Sequence, residues 1–253
     1  MELLDTQIIS YKYKGAKDYY DDDIKGKYIS SVTALEFLQT IDKGSLTSAR
    51  YYPPIPPKSL SSAFHYAQLK NRGHGKQGTD SLIVDLGGKY DSFTLFSNYA
   101  VSESINSGNK AGIMDATWCL EKNERKKISR RIDFLMDEGI QVIPLNPLIV
   151  EYMLNLLGSI DGQYNMKKDY QNSMRDLLIA STAVQHKLRL ITQDNELNRV
   201  IAQCEEYRCR KINDHIVEID MRGTECDDKV IPPKDSKGYI NRGWDYSFRR
   251  GTF

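Results

Sequence analysis

A chain of 253 residues with 35 Lys and Arg against 34 Asp and Glu can bury a sizeable core, and its near-zero balance excludes binding a polyanion by global attraction. Its four cysteines (Cys119, Cys204, Cys209, Cys226) form no CxxC pair and its four histidines lack zinc-ligand spacing, so free thiols in a reducing compartment are the plain reading. No apolar run reaches membrane-spanning length, and the opening MELLDTQIIS lacks the basic region, apolar stretch and cleavage site of a signal peptide. A cytoplasmic protein with no membrane partner is expected.

Residues 2 to 4 read as a short strand ending at Asp5, and TQIISYKYKG as a helix stopped by Gly15. KYISSVTALEFLQTI reads as a strand over Tyr28 to Ser31 running into a helix with Leu35, Leu38 and Ile41 on one side. From Gly44 to about Gly112 the texture changes: RYYPPIPPK is proline-rich, NRGHGKQGTD is a polar glycine loop, and SLIVDLGGKYDSFTLF holds two β-rich runs around Gly87-Gly88, a hairpin pattern. The span 44–112 is therefore expected to be an insertion of loops and a hairpin.

Regular structure returns in KKISRRIDFLMDEG, where Ile128, Ile132, Leu135 and Met136 recur at helical spacing and Gly139 closes the helix. IQVIPL reads as a buried strand. NPLIVEYMLNLLG has Asn146 as N-cap, Pro147 at the first helical position and a stripe through Leu148, Tyr152, Met153, Leu156 and Leu157. A helix begun near Met174 with Ser173 as cap, a strand over Leu188 to Thr192, a helix over NELNRVIAQCEE and a last strand in CRKINDHIVEI complete the alternation. Such alternation predicts an α/β fold, a parallel sheet with helices on both faces, over residues 1–221 and interrupted by the 44–112 insertion. The remainder, 222–253, is rich in Gly, Pro and charge and reads as a C-terminal arm in which Trp244, Tyr246 and Phe248 alternate with polar residues.

MRDLLIASTAVQHKLRLITQDNEL places an acid at each end of a helix–strand unit. The helix climbs roughly 20 Å at about 1.5 Å per residue, and the strand returns roughly 16 Å at about 3.3 Å per residue. Asp194 thus comes back to the sheet edge of Asp176. Asp5 ends the first strand, and Glu36 lies about one turn into the helix after the second. Ligands of open parallel sheets bind beyond the carboxyl ends of the strands, where these four acids converge. Crowded carboxylates raise one another's pKa, and hard divalent cations relieve the repulsion. Carboxylate-held Mg²⁺ usually works on phosphate, through in-line attack of water on phosphorus.

The segments LLDTQIISY, ISSVTALEFL, GIQVIPLNPLIVEYM and RDLLIASTAVQHKLRLITQDNEL resemble the successive motifs of PIN-domain nucleases, with the greatest similarity to the ribonuclease toxins of bacterial type II toxin–antitoxin pairs. The likeness covers about residues 1–43 and 125–220. It implies a PIN-like (Rossmann-like) sheet, Asp5, Glu36, Asp176 and Asp194 as catalytic and metal-holding residues, Thr192 as a supporting residue, Mg²⁺ or Mn²⁺ as cofactor, and hydrolysis of a nucleic acid, RNA by family preference. It also implies a cognate antitoxin or defence-system partner; a homodimer is a further expectation. Where the family usually has Asn two places after the first Asp, this chain has Gln7, which keeps the amide and reaches further.

Each acid also has a plain structural explanation, Asp176 as a first-turn helix residue and Asp5 or Asp194 as loop residues. Lys122, Lys126 and Arg130 share one helical face, beside Lys127 and Arg131, and form either a band that steers phosphates or an ordinary wet face. Two rivals to a ribonuclease remain open at this point, a DNase or structure-specific nuclease, and a non-catalytic PIN-like binding module.

Overall fold

The structure, a computed structural model, describes residues 1–16, 22–41, 50–51, 81–85, 93–117, 120–160, 170–194, 197, 208–211, 217–220 and 243–247. Its centre is a six-stranded sheet. Strand β1 (Glu2–Leu4) pairs in parallel with β2 (Tyr28–Ser30) on one side and β8 (Arg189–Thr192) on the other, and β7 (Gln141–Ile143) pairs in parallel with β2. Both Leu3 and Leu4 are fully buried, as expected of a central strand covered on both faces. The chain steps outward from β1 to β2 to β7 and then returns to the far side of β1, so the strand order reverses between β1 and β8.

Beyond β8 the sheet ceases to be parallel. CRKINDHIVEI, expected as one strand, supplies two, Arg208–Lys211 (β9) and Val217–Asp220 (β10), paired antiparallel to each other, with β10 also antiparallel to β8. The helix expected over NELNRVIAQCEE lies outside the described residues apart from Leu197, which is buried.

Helices α1 (Thr6–Tyr13) and α2 (Ser31–Leu38) follow β1 and β2 directly. Ile41 does not extend α2; it sits in a short strand, Thr40–Ile41 (β3), paired with Arg50–Tyr51 (β4). The cause is visible at the helix end. The Phe37 carbonyl, which one more turn would use, accepts instead from Arg131 Nη1 at 2.7 Å, and the Gln39 carbonyl from the same atom at 2.8 Å. A cation at the negative end of a helix is favourable there. The guanidinium also stands 5.4 Å from the centroid of the Phe37 ring, which packs with Tyr13 and Phe134 to join α1, α2 and α5 (Lys122–Asp137).

Within the span 44–112, Ser81–Asp85 (β5) and Phe93–Phe96 (β6) pair antiparallel as the hairpin pattern predicts. The end of that span, however, belongs to the core. Helix α3 (Asn98–Asn106) buries Ala100, Val101 and Ile105 in it, and α4 (Ala111–Ala116) buries Ile113. Part of the expected arm is likewise ordered as a strand: Gly243–Ser247 (β11) pairs in parallel with β5.

Two asparagines fix α3 along the free edge of the sheet. Asn106 donates to the Val142 carbonyl at 2.9 Å and accepts from the Val142 N–H at 2.7 Å, two turns from Asn98, which makes the same pair of bonds to Leu145 at 2.9 and 2.8 Å. Asn98 Oδ1 also accepts from Ser31 Oγ at 2.6 Å. Side-chain amides thus take the place of a neighbouring strand beside β7 and close an edge that would otherwise be open to pairing.

Helix α5 ends as its glycine predicts. Gly139 has φ +62°, its N–H donates to the Met136 carbonyl and that of Ile140 to Leu135, which is a Schellman cap. Asn146 caps α6 (Pro147–Ile160) by accepting from the Ile149 N–H at 2.9 Å. Leu148 falls off the expected stripe and is exposed, while Ile149, Val150, Met153, Leu156 and Leu157 are buried. Helix α7 (Tyr170–Gln185) begins earlier than the Ser173 cap signal. Tyr170 packs against the core and recruits the first turn, so tertiary packing overrides the local signal and Ser173 is buried inside the helix. Among the described residues no helix is long and apolar enough to cross a membrane.

Asn98→Ala leaves the Leu145 backbone and the Ser31 hydroxyl without their partner, and is expected to lower the unfolding free energy by about 2–4 kcal/mol; Asn106→Ala, less buried, should cost about 1–2 kcal/mol. Urea titration measures both, and two negligible losses would show that the edge is held by other contacts.

Candidate active site

The reversal point of the sheet lies between β1 and β8, and Asp5 and Asp194 lie one and two residues past the ends of those strands. Asp5 is the N-cap of α1. Its Oδ1 accepts from the Thr6 N–H at 2.6 Å, its Oδ2 accepts from Thr192 Oγ1 at 2.6 Å, and its own N–H continues the ladder to the Ile191 carbonyl. Only 5 % of Asp5 is exposed. Thr192 is fully buried at the end of β8 and also accepts from the Asp194 N–H at 3.0 Å, so one hydroxyl connects the two acidic positions. Asp194 Oδ1 in turn accepts from the Leu197 N–H at 3.0 Å, the bond of an N-cap.

Glu36 joins them from α2. Thr6 Oγ1 donates to Glu36 Oε2 at 2.5 Å, and Arg175 Nε stands 3.8 Å from Glu36 Oε1. Arg175 is 6 % exposed, and its Nη1 donates to Asn172 Oδ1 at 2.9 Å. Asp176 is the next residue of α7. It is half-buried and lies in the second turn of the helix, which removes the first-turn reading of its charge. Gln7 is exposed on α1.

Burial raises the Asp5 carboxyl from 3.8 to about 6, the negative charges of Glu36 and Asp194 add to the rise, and the bonds from Thr192 and Thr6 oppose it. A cap needs no such charge. Ser or Asn would satisfy the Thr6 N–H without bringing an ionisable group into a dry site beside two acids, and perturbed carboxylates of this kind cluster at functional sites.

The donor set is all oxygen, which matches a hard divalent cation, and a cation would oppose the rise that burial, with lesser help from Glu36 and Asp194, imposes on Asp5. Among the described residues no three His, Cys, Asp or Glu side chains stand close enough together to hold a metal ion as they are. Mg²⁺ commonly keeps several waters and takes only one or two carboxylates directly.

Sequence reasoning missed Thr6 and Arg175. The signal for Arg175 was a charge inside an otherwise apolar helix, MRDLLIASTAV. On α5, Lys122, Lys126 and Arg130 are exposed, as is Arg125, while Lys127 reaches Glu124 at 3.8 Å and Arg131 is committed to α2.

A PIN domain model matches residues 62–203, more than half of the chain. The chain belongs to the PIN domain family, whose members are generally metal-dependent nucleases acting on nucleic acids. The match takes in Asp176 and Asp194 and begins after Asp5 and Glu36, and it includes α3 and α4. No curated protein and no solved structure matches the chain.

Asp5 holds its proton more tightly in the fold than in the unfolded chain, so its ionisation costs stability as pH rises from about 4 through about 6, and the whole cost, about 3 kcal/mol, is present above that window. Asp5→Asn is accordingly expected to raise the melting temperature of the metal-free protein near pH 7.5, with the gain disappearing toward about pH 4. Thermal melts at the two pH values test this; a variant that melts lower near pH 7.5 would mark Asp5 as a structural cap.

Proposed function

We propose that this chain is a divalent-metal-dependent ribonuclease that hydrolyses phosphodiester bonds at the crevice between β1 and β8. The observation that carries the reading is Asp5, a buried carboxylate held by two neutral donors with two further acids, Glu36 and Asp194, acting on it. Asp5, Glu36, Asp176 and Asp194 would hold Mg²⁺ or Mn²⁺, which when bound supplies an acidified water and charge neutralisation at the phosphate. The chain's own part is orientation. Thr192 and the Thr6 backbone aim the Asp5 carboxylate, the Thr6 hydroxyl aims Glu36, and Thr192 ties the Asp194 backbone to the same point.

The exposed Lys122, Lys126 and Arg130 suit the phosphates of a substrate strand, and α5 packs on α2, the helix that carries Glu36. The preference for RNA and a cognate antitoxin or defence-system partner come from the toxin likeness, a homodimer and a cytoplasmic setting are separate expectations from the sequence, and all belong to this proposal. Among the described residues no group of acids could hold a metal as they stand, which favours one alternative, a PIN-like module that binds without cutting.

Asp5→Asn and Asp176→Asn are each expected to abolish Mg²⁺- or Mn²⁺-dependent cleavage while the protein stays folded by circular dichroism. Full activity in both would end the reading. Single- and double-stranded RNA and DNA incubated with either metal separate a ribonuclease from a DNase, and tight nucleic-acid binding without cleavage or calorimetric metal binding would support the module. Replacing Lys122, Lys126 and Arg130 together by Ala should raise KM about tenfold, more than it lowers kcat, and flatten the salt dependence of binding. An unchanged salt slope would return that face to ordinary solvation.

A further inference from the structure

We propose that Arg175 is a resident counter-ion that holds Glu36 until a divalent cation displaces it, an inference that rests on the metal-dependent reading of the site. The side chain is buried in α7 between Met174 and Asp176, where an apolar residue would fill the same space without the desolvation cost of a guanidinium. Its Nη1 is anchored on Asn172, three residues earlier in the same helix, so the charge has a fixed place. From that place Nε faces Glu36 Oε1 at 3.8 Å while Thr6 Oγ1 donates to Oε2, and both Glu36 oxygens are thereby engaged.

The charge partners Glu36, one of the two acids whose negative charge acts on Asp5. The distance makes the arrangement reversible. At 3.8 Å the pair attracts by Coulomb force without the short charge-assisted hydrogen bond that would lock it. A divalent ion carries twice the charge and competes for the same oxygen. Arg175 therefore lowers the affinity of the site for metal, stabilises the empty fold, and positions Glu36 in the place where the ion meets it.

Calorimetric titration with Mn²⁺ alone, and thermal melts with and without Mn²⁺, would be run on the full chain and on Arg175→Met, which keeps length without charge, and Arg175→Gln, which keeps a donor for Asn172. Both variants are expected to bind Mn²⁺ about tenfold more tightly than the parent. Both should also melt lower without the ion, with the deficit closing at saturating Mn²⁺. Unchanged or weaker Mn²⁺ affinity in both, or a melting deficit of the same size with and without the ion, overturns the proposal and leaves Arg175 a packing residue. If the Met variant fails to fold, the Gln variant decides; failure of both that Mn²⁺ does not repair also overturns it. A parent chain that binds no Mn²⁺ overturns the metal reading itself, whereas a parent that binds it equally with its variants overturns this inference alone.

Discussion

Asp5 sits between β1 and α1 with almost no access to water, its two oxygens met by neutral donors, while the charged groups acting on it, Glu36 and Asp194, are acids. Folding therefore gathers like charges at the place where the sheet reverses its strand order, and the rest of the local architecture accommodates that. Thr192 spends both its donor and its acceptor on the two acidic positions, and Thr6 serves Asp5 through its backbone and Glu36 through its hydroxyl. Fixed neutral donors set direction without cancelling charge, which leaves an electrostatic demand for a cation.

Arg131 and Arg175 act differently. Arg131 is a structural cation: it terminates α2 by taking the Phe37 and Gln39 carbonyls, and its guanidinium lies by the Phe37 ring within an aromatic junction of three helices. Arg175 meets a carboxylate of the crevice instead, at ion-pair distance. One helix thus places basic residues on two sides, with Arg131 turned into the core and Lys122, Lys126 and Arg130 left in water.

Much of the fold was legible because it depends on local periodicity and end signals. The apolar pair Leu3 and Leu4, the spacing of Ile128, Ile132 and Leu135, Gly139 and Asn146 all carry their meaning in the chain itself. What was not legible depends on partners far away in sequence. Nothing near Ile41 announces that Arg131 will claim the carbonyls that end α2. Tyr170 extends α7 because the core receives it, and α3 passes for insertion because Asn98 and Asn106 look like loop residues until β7 lies beside them. Family likeness placed the four acids in order; the couplings among Asp5, Glu36 and Asp194, and the presence of Arg175, came only from three dimensions.

The bond from Ser31 Oγ to Asn98 Oδ1 has a bearing on how such a chain can change length. It pins the first residue of α2 to the first residue of α3, two positions 67 residues apart in the chain. For any loop closed between two fixed points, a doubling of length costs only about 0.6 kcal/mol of chain entropy. Changes of length between Ser31 and Asn98 are therefore cheap in chain entropy, provided the serine and the asparagine keep their bond.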